Sequence, residues 1–476
     1  MSRIFVVCGL GFGDEGKGAT VDYLVRKYGI GTVVRFNGGP QAGHNVVSPE
    51  GAWHCFAQFG SGTLAGETRT FLSSPMLIEP SALRVEGKHL SAKGVNNAMS
   101  RIVIDSDCPV ITPYHKMTNQ MKELSRKGSR LGSCGMGVGE AVFDSRRGMQ
   151  LTVSDLSDKK ILREKLNDIY RKHSEESFLL SRKGSKRMRE TFAYFIDNYP
   201  VSALILSYEE FLWKFGQDGI QGGWYLKDLL AQGGDLVFEG AQGALLDFHA
   251  GFYPYVTKTE VTFKSADSLL ANAGFHGNVT RVGVIRAYAT RHGAGPLVTG
   301  NDFLAPNLYD PYNGKNVWQG EFRTGWFDLV ASRYAIAAGG RPDVLALTCL
   351  DKLSRLETIG VCVSYEYTGN NVSSLGEFFE WDRIPGNRIR INSIKTRTGE
   401  DEKGNGLLAG LLFDCRPLEF KTFKGWPTDI SGATSFDDLP AEAVEYVSYI
   451  ESKNGLSVPV ATVSVGNSAL NRLEHI

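Results

Sequence analysis

The segment IFVVCGLGFGDEGKGATVDYLVRKY, residues 4–28, runs an apolar stretch, a glycine-crowded loop and a helical pattern in immediate succession. Ile4–Cys8 reads as a buried strand and Gly18–Tyr28 as the helix that follows it. This is the unit of an open parallel α/β sheet, in which ligands bind where the loop leaves the strand. Two patterns fit the loop. Gly11–Gly16 is G-x-G-x-x-G, a dinucleotide signal that also wants an acid at the end of the second strand. That strand ends Arg35-Phe36-Asn37-Gly38-Gly39, so a nicotinamide oxidoreductase is the weaker reading. Gly11–Lys17 is G-x-x-x-x-G-K, in which backbone N–H groups cradle phosphate and Lys17 neutralises it. The usual next residue is a Ser or Thr that holds Mg²⁺, but Gly18 cannot. The metal then needs another oxygen, and Asp14 is the nearest candidate. The plain alternative is that Asp14 caps the helix.

Further strands are expected at Thr32–Phe36, Val110–Thr112, Ala203–Ser207, Leu236–Glu239, Val282–Ala287, Val344–Leu347 and Val460–Val465. Helices are expected at Asp155–His173, Gly325–Ala338 and Ala441–Lys453. The alternation predicts an α/β fold: a large, mostly parallel sheet flanked by helices, with a P-loop-like N-terminal phosphate loop. Residues 1–476 read as a single domain with insertions at about 155–200, 301–322 and 383–408. The first is rich in Lys, Arg and Glu and reads as a solvated helical face. The other two read as mobile Asn/Gly/Asp-rich loops.

Lys+Arg and Asp+Glu both total 52, a balance that argues against a chain built to coat nucleic acid or an anionic membrane. The seven cysteines are scattered, with no CxxC pair, which disfavours a zinc site or disulfide framework and points to a reducing, cytoplasmic setting. Neither a secretory leader nor an apolar run long enough to span a bilayer is expected.

Several loops after strands carry chemistry. Asn37–Asn45 holds His44 among glycines, and FEGAQG (238–243) presents the Gln242 amide. ATRHGAGP (289–296) and RTGWFD (323–328) each set an arginine beside flexible backbone, suited to a carboxylate or phosphate. LTCLD (347–351) ends a strand with Asp351, which could accept from the N1–H and 2-amino donors of guanine. Taken singly, each of these has an ordinary structural explanation.

Together the motifs resemble those of the adenylosuccinate synthetase family. They are GDEGKG (13–18), GGPQAGH (38–44), GSCGMGVGEAVFDSRRG (132–148), FEGAQGALLD (238–247), YPYVT (253–257), RAYATRHGAGP (286–296), RTGWFD (323–328), LTCLD (347–351), GW (425–426) and SVG (464–466). The resemblance implies a ligase that transfers the γ-phosphoryl group of GTP to O6 of IMP, after which L-aspartate displaces phosphate. It implies Asp14 as the base that takes the N1 proton and as an Mg²⁺ ligand, and the Gly43 carbonyl as a second ligand. It implies His44 as general acid and Lys17 as phosphate neutraliser. Gln41, Cys134, Gln242 and Thr257 match positions that hold the purine nucleotide, and Asp351 the guanine reader. Gly13, Glu15, Gly16, Gly18, Asn45, Ser133, Cys349, Ser464 and Gly466 complete the nucleotide-binding set, with helix-dipole complementarity as the default role of Glu15. Arg146 matches an arginine that reaches the partner's nucleotide across a homodimer. Thr299 and Arg323 match the aspartate region, Arg323 also touching nucleotide.

The chain departs from the family pattern at four places. GGPQAGH replaces GGHNAGH, GSCGMG replaces GTTGRG, and TCLD replaces TKLD. Glu321 stands where an arginine contacting aspartate and ribose is expected. These changes surround the nucleotide and spare the reaction core. They keep open dGMP as acceptor and ATP as donor, and a nucleotide-binding regulatory homologue without activity. The branch of the family that uses dGMP commonly lacks the loop carboxylate; Asp14 therefore favours IMP.

Overall fold

The structure is a computed structural model that describes residues 2–216, 218–308, 310–396 and 402–476. Ile4–Gly9 is buried along its whole length, and such a strand is stable only with neighbours on both edges and layers on both faces. It pairs in parallel with Leu236–Gly243 on one side and Thr280–Arg286 on the other. From this centre the sheet extends through Thr32–Arg35, Arg69–Leu72, Ile102–Asp105 and Ile220–Gln221 on one flank. On the other it runs through Val344–Thr348 and Val460–Ser464 to Arg472–Glu474, an antiparallel edge strand. The helix Lys17–Tyr28 buries Val21, Leu24 and Val25 against Val33, Val237 and Val282 of the sheet. The carboxyl ends of the central strands thus open on one rim, where residues 9–18, 36–43, 240–243, 286–292 and 348–351 gather. A second, five-stranded sheet is built from Phe327–Asp328, Thr358–Tyr367, Phe379–Ile384, Arg388–Ile394 and Cys415–Lys424.

Two expected strands are absent. Ala203–Ser207 lies inside the helix Val201–Phe215, whose buried Leu204, Ile205, Tyr208 and Phe211 repeat at helical rather than strand spacing. Val110–Thr112 makes one isolated bridge to Ile78, and Thr112 serves as N-cap of the helix Pro113–Ser125. Two helices start later than expected, at Lys159 and Leu329, because Asp158 and Asp328 accept first-turn N–H groups as caps. The insertion 155–200 forms the helices Lys159–Arg182 and Lys186–Asn198, and it is not merely a solvated face: Leu162, Leu166, Ile169 and His173 are buried. Within 383–408 the strand Arg388–Ile394 and the start of the helix Glu402–Phe413 replace the expected loop; residues 397–401 lie outside the described set. Loop 301–322 is anchored at the site by Asp310, which pairs with Arg286 at 2.7 Å. No helix among the described residues is long and apolar enough to cross a membrane.

Candidate active site

The phosphate loop is built around Glu15. This carboxylate is 2% exposed; its Oε1 accepts from Gly11 N at 3.0 Å and Gly13 N at 2.8 Å, and its Oε2 pairs with Lys17 Nζ at 2.6 Å. A Cβ at Gly243 would collide with the Glu15 carboxylate, so that glycine is the space the carboxylate occupies. Glu15 is therefore the internal brace of the loop, not an acid displayed at a helix end. Asp14 is pushed the other way, into the left-handed region at φ 61°, which costs a non-glycine residue about 1 kcal/mol. Burial raises its carboxyl, while the neighbouring charges of His292 and Arg286 pull it back.

His44 is set by a partner the sequence motifs do not single out. Its Nδ1 donates to Glu239 Oε1 at 2.5 Å, which leaves Nε2 as the ring nitrogen available to a ligand. Glu239 also accepts from Ser61 N at 2.9 Å and from the Ser61 hydroxyl. Burial opposes the Glu239 charge, but Arg35, His44 and Ser61 outweigh it and take the carboxyl down to about 2. Burial likewise lowers His44, against the pull of Glu239. A phosphoryl group beside Nε2 would add negative charge and favour the protonated ring, with Glu239 holding the second proton.

Two of the cavities along the rim meet at the phosphate loop. The first, about 740 Å³, is lined by Gly16, Gly18, Asn45, Arg286, Cys349, Lys352, Ser464 and Gly466. The second, about 1350 Å³, is lined by Gly13, Gln41, Ser133, Cys134, Gln242, Thr257, Arg291 and His292. Four residues line both: Asp14, Lys17, Gly43 and His44. Most of the expected nucleotide residues thus divide between two chambers that meet at the expected reaction centre. Burial pushes the Cys134 thiol up to about 11, so it is a neutral group in the second chamber.

Other expected residues do not line either of these two cavities. Arg146 is exposed, its guanidinium 4.3 Å from the Phe248 ring centroid. Thr299 is buried, its hydroxyl without a partner. Arg323 gives Nη2 to the carbonyls of Gly293 at 2.6 Å and Gly295 at 2.8 Å. Asp351 stands 3.7 Å from Lys352, and it is Lys352 that lines the first cavity. Glu321 points to the surface, paired with Lys315 at 2.6 Å, so its charge does not enter the site. Besides Glu239, Arg286 and His292 also belong to the site; all three lie inside the motifs, but only their distant partners reveal them.

Asp14 and Gly43 line both chambers and between them offer a carboxylate and a backbone carbonyl, hard oxygen donors that suit a hard divalent cation rather than a soft metal. A separate buried cluster of His115, Asp144 and His173 has metal-like spacing but different chemistry. His115 Nδ1 accepts from Thr112 N at 3.0 Å, so Nε2 carries the proton and donates to Asp144. His173 Nε2 contacts the same oxygen at 2.9 Å, and Lys172 takes the other. This is a closed hydrogen-bonded hub.

A phosphate loop and a second chamber meeting at a carboxylate, a lysine and an oriented imidazole define a nucleotide-dependent group-transfer enzyme of the parallel α/β class. The adenylosuccinate synthetase family model matches residues 6–383 and 409–472. An adenylosuccinate synthetase of Neisseria gonorrhoeae is 31% identical over 98% of this chain and 97% of its own, and one of Stenotrophomonas maltophilia 33% identical over 98% and 97%. The chain belongs to the adenylosuccinate synthetase family and is a carbon–nitrogen ligase. Its fold is similar to that of the fully ligated adenylosuccinate synthetase of Plasmodium falciparum, with a TM-score of 0.79, 22% identity and full coverage of both chains. It is less similar to the cyanophage S-2L succinoaminodeoxyadenylate synthetase bound to dGMP and dATP, with a TM-score of 0.51, 18% identity and coverage of 74% and 86%.

Proposed function

We propose that the protein joins L-aspartate to IMP in a GTP-driven reaction of two steps that yields adenylosuccinate. The observation that carries this reading is the meeting of two chambers at Asp14, Lys17, Gly43 and His44 alone. A donor in the first chamber and a purine nucleotide in the second can approach one another only there. In the first step O6 of IMP attacks the γ-phosphorus of GTP, the N1 proton passes to Asp14, and GDP leaves. In the second the aspartate amine attacks C6 and phosphate departs. Lys17 and His44 offset the charge that develops on the transferred group, and positioning plus neutralisation is most of what such a transfer requires. Mg²⁺, held by Asp14 and Gly43, supplies further neutralisation when bound. Gln41, Ser133, Cys134, Gln242 and Thr257 hold the acceptor nucleotide; Asn45, Cys349, Ser464 and Gly466 border the donor. Thr299 and Arg323 shape the turn beside the aspartate, and Arg146, exposed on its helix, serves the partner subunit's nucleotide in a homodimer.

The test is incubation with Mg²⁺, L-aspartate, GTP or ATP, and IMP or dGMP, with products read by mass spectrometry. A succinylated nucleotide formed in step with GDP and phosphate is expected from IMP and GTP. No succinylated product from any pairing would overturn the reading, and preference for dGMP or ATP would reassign the acceptor or donor.

A further inference from the structure

Asp14 is held at its carbonyl by a chain of side chains that leads back to within 3.7 Å of its carboxylate. Arg286 Nε donates to the Asp14 carbonyl at 2.5 Å, and Arg286 Nη2 pairs with Asp310 Oδ2 at 2.7 Å. Asn313 Nδ2 donates to the same Asp310 oxygen at 3.0 Å. That orients the Asn313 amide so that Oδ1 faces His292 Nε2 at 3.4 Å. His292 Nε2 in turn lies 3.7 Å from Asp14 Oδ2. Since Nε2 faces two oxygens, it carries the ring proton. The Phe322 ring packs against His292 at 4.8 Å and lies 5.8 Å from the Arg286 guanidinium. Two members, Asp310 and Asn313, come from loop 301–322 and also line the first cavity. The Asp310–Arg286 pair is nearly buried, at 9% and 7% side-chain exposure, and Arg286 joins this loop to the Asp14 backbone.

We propose that loop 301–322 positions the reactive carboxylate: Asp310 and Asn313, acting through Arg286 and His292, hold the carbonyl and the carboxylate of Asp14 in the orientation that proton transfer needs. The inference rests on the role given to Asp14 above. His292, Asn313, Asp310 and Arg286 are positioning residues in it. A left-handed aspartate has little local reason to keep its orientation, and the circuit supplies that restraint from two strands and a loop.

His292→Phe keeps the tilted ring contact with Phe322 and removes the N–H; Asn313→Ala breaks the next link. Each is expected to lower kcat about 10- to 100-fold, the scale of a misplaced reacting group. KM for IMP and its calorimetric Kd should stay within about two-fold, since binding is not what the circuit serves. His292→Gln, which restores an N–H donor, should recover part of the loss. The double variant should lose no more than roughly the worse single one, because both break the same circuit. Lys315→Ala, on the same loop but in a surface pair, should leave kcat within about two-fold. Unchanged kcat in both single variants, losses that multiply, or losses confined to KM would overturn the inference while the wild type stays active. Absence of product from the wild type would overturn the functional reading and this inference together.

Discussion

At Glu15 a single carboxylate accepts from two loop amides and neutralises Lys17 in a buried setting. Removing it leaves a buried ammonium and two N–H groups unpaired, so Glu15→Ala should cost about 3–5 kcal/mol in chemical denaturation, a cost typical of breaking a buried ion pair. Asp14 contributes differently. It braces nothing in the core, so Asp14→Asn should retain an unfolding midpoint near that of the wild type while losing at least about 100-fold in kcat. A fully active variant would remove Asp14 from the role of base. Both residues stand in one quoted motif, and sequence spacing alone does not separate their directions. The separation comes from φ at Asp14, which turns one acid toward the cavities and the other toward the sheet.

Among the elements, the helix Val138–Arg146 carries the second chamber's Val138, Gly139 and Phe143, and Asp144 locks it to its neighbours. His115 comes from the helix Pro113–Ser125, and His173 and Lys172 from Lys159–Arg182. Asp144→Ala would leave Lys172 and two imidazole N–H groups without their acceptor, and a loss of about 3–5 kcal/mol is expected from thermal or denaturant unfolding. Elemental analysis of purified protein should find no stoichiometric zinc, since His115 Nδ1 already accepts a backbone N–H. On the first helix, a Cβ at Gly18 would sit 2.8 Å from His44 Cβ and 3.0 Å from Ser61 Oγ. Gly18→Ala should therefore push His44 off Glu239 and lower kcat by about ten-fold or more, with nucleotide affinity less affected. Strands buried on both faces, such as Ile4–Gly9, were legible as apolar runs. Ala203–Ser207 was misread because a short apolar run looks alike in a strand and a buried helix until its neighbours Tyr208 and Phe211 are counted.

For the molecule as a whole, acid stability should depend on Glu239. Its carboxyl is held at about 2 in the fold, below the ordinary 4.5, so its stabilisation is complete above about pH 4.5 and is lost as pH falls toward 2. Glu239→Gln should flatten the stability profile in that window, measured by unfolding at stepped pH. It should also cut kcat, because His44 loses the acceptor that orients it. The assembly has its own test. If Arg146 serves the partner's nucleotide, mixing inactive Asp14→Ala and Arg146→Ala proteins should restore part of the activity, one site of each mixed dimer being intact. No recovery on mixing would place Arg146 outside the partner's site.

Local chemistry was readable without a structure: the strand–loop–helix start, the phosphate lysine, the extra carboxylate, and the glycine-bound histidine all sit within motifs of a few residues. That is why Asp14, Lys17 and His44 could be singled out from their own surroundings, while Gly43 came only with the family resemblance. What surrounds them could not, because it arrives from far along the chain: Glu239 is 195 residues from His44, and Arg286 is 272 from Asp14. Packing also fixed orientations that spacing does not: Arg323 donates to the carbonyl of Gly293, and Glu321 pairs with Lys315 at the surface. Residue type and spacing determined which groups could do the chemistry; only the convergence of strand ends on one rim decided how each is held and which way it points.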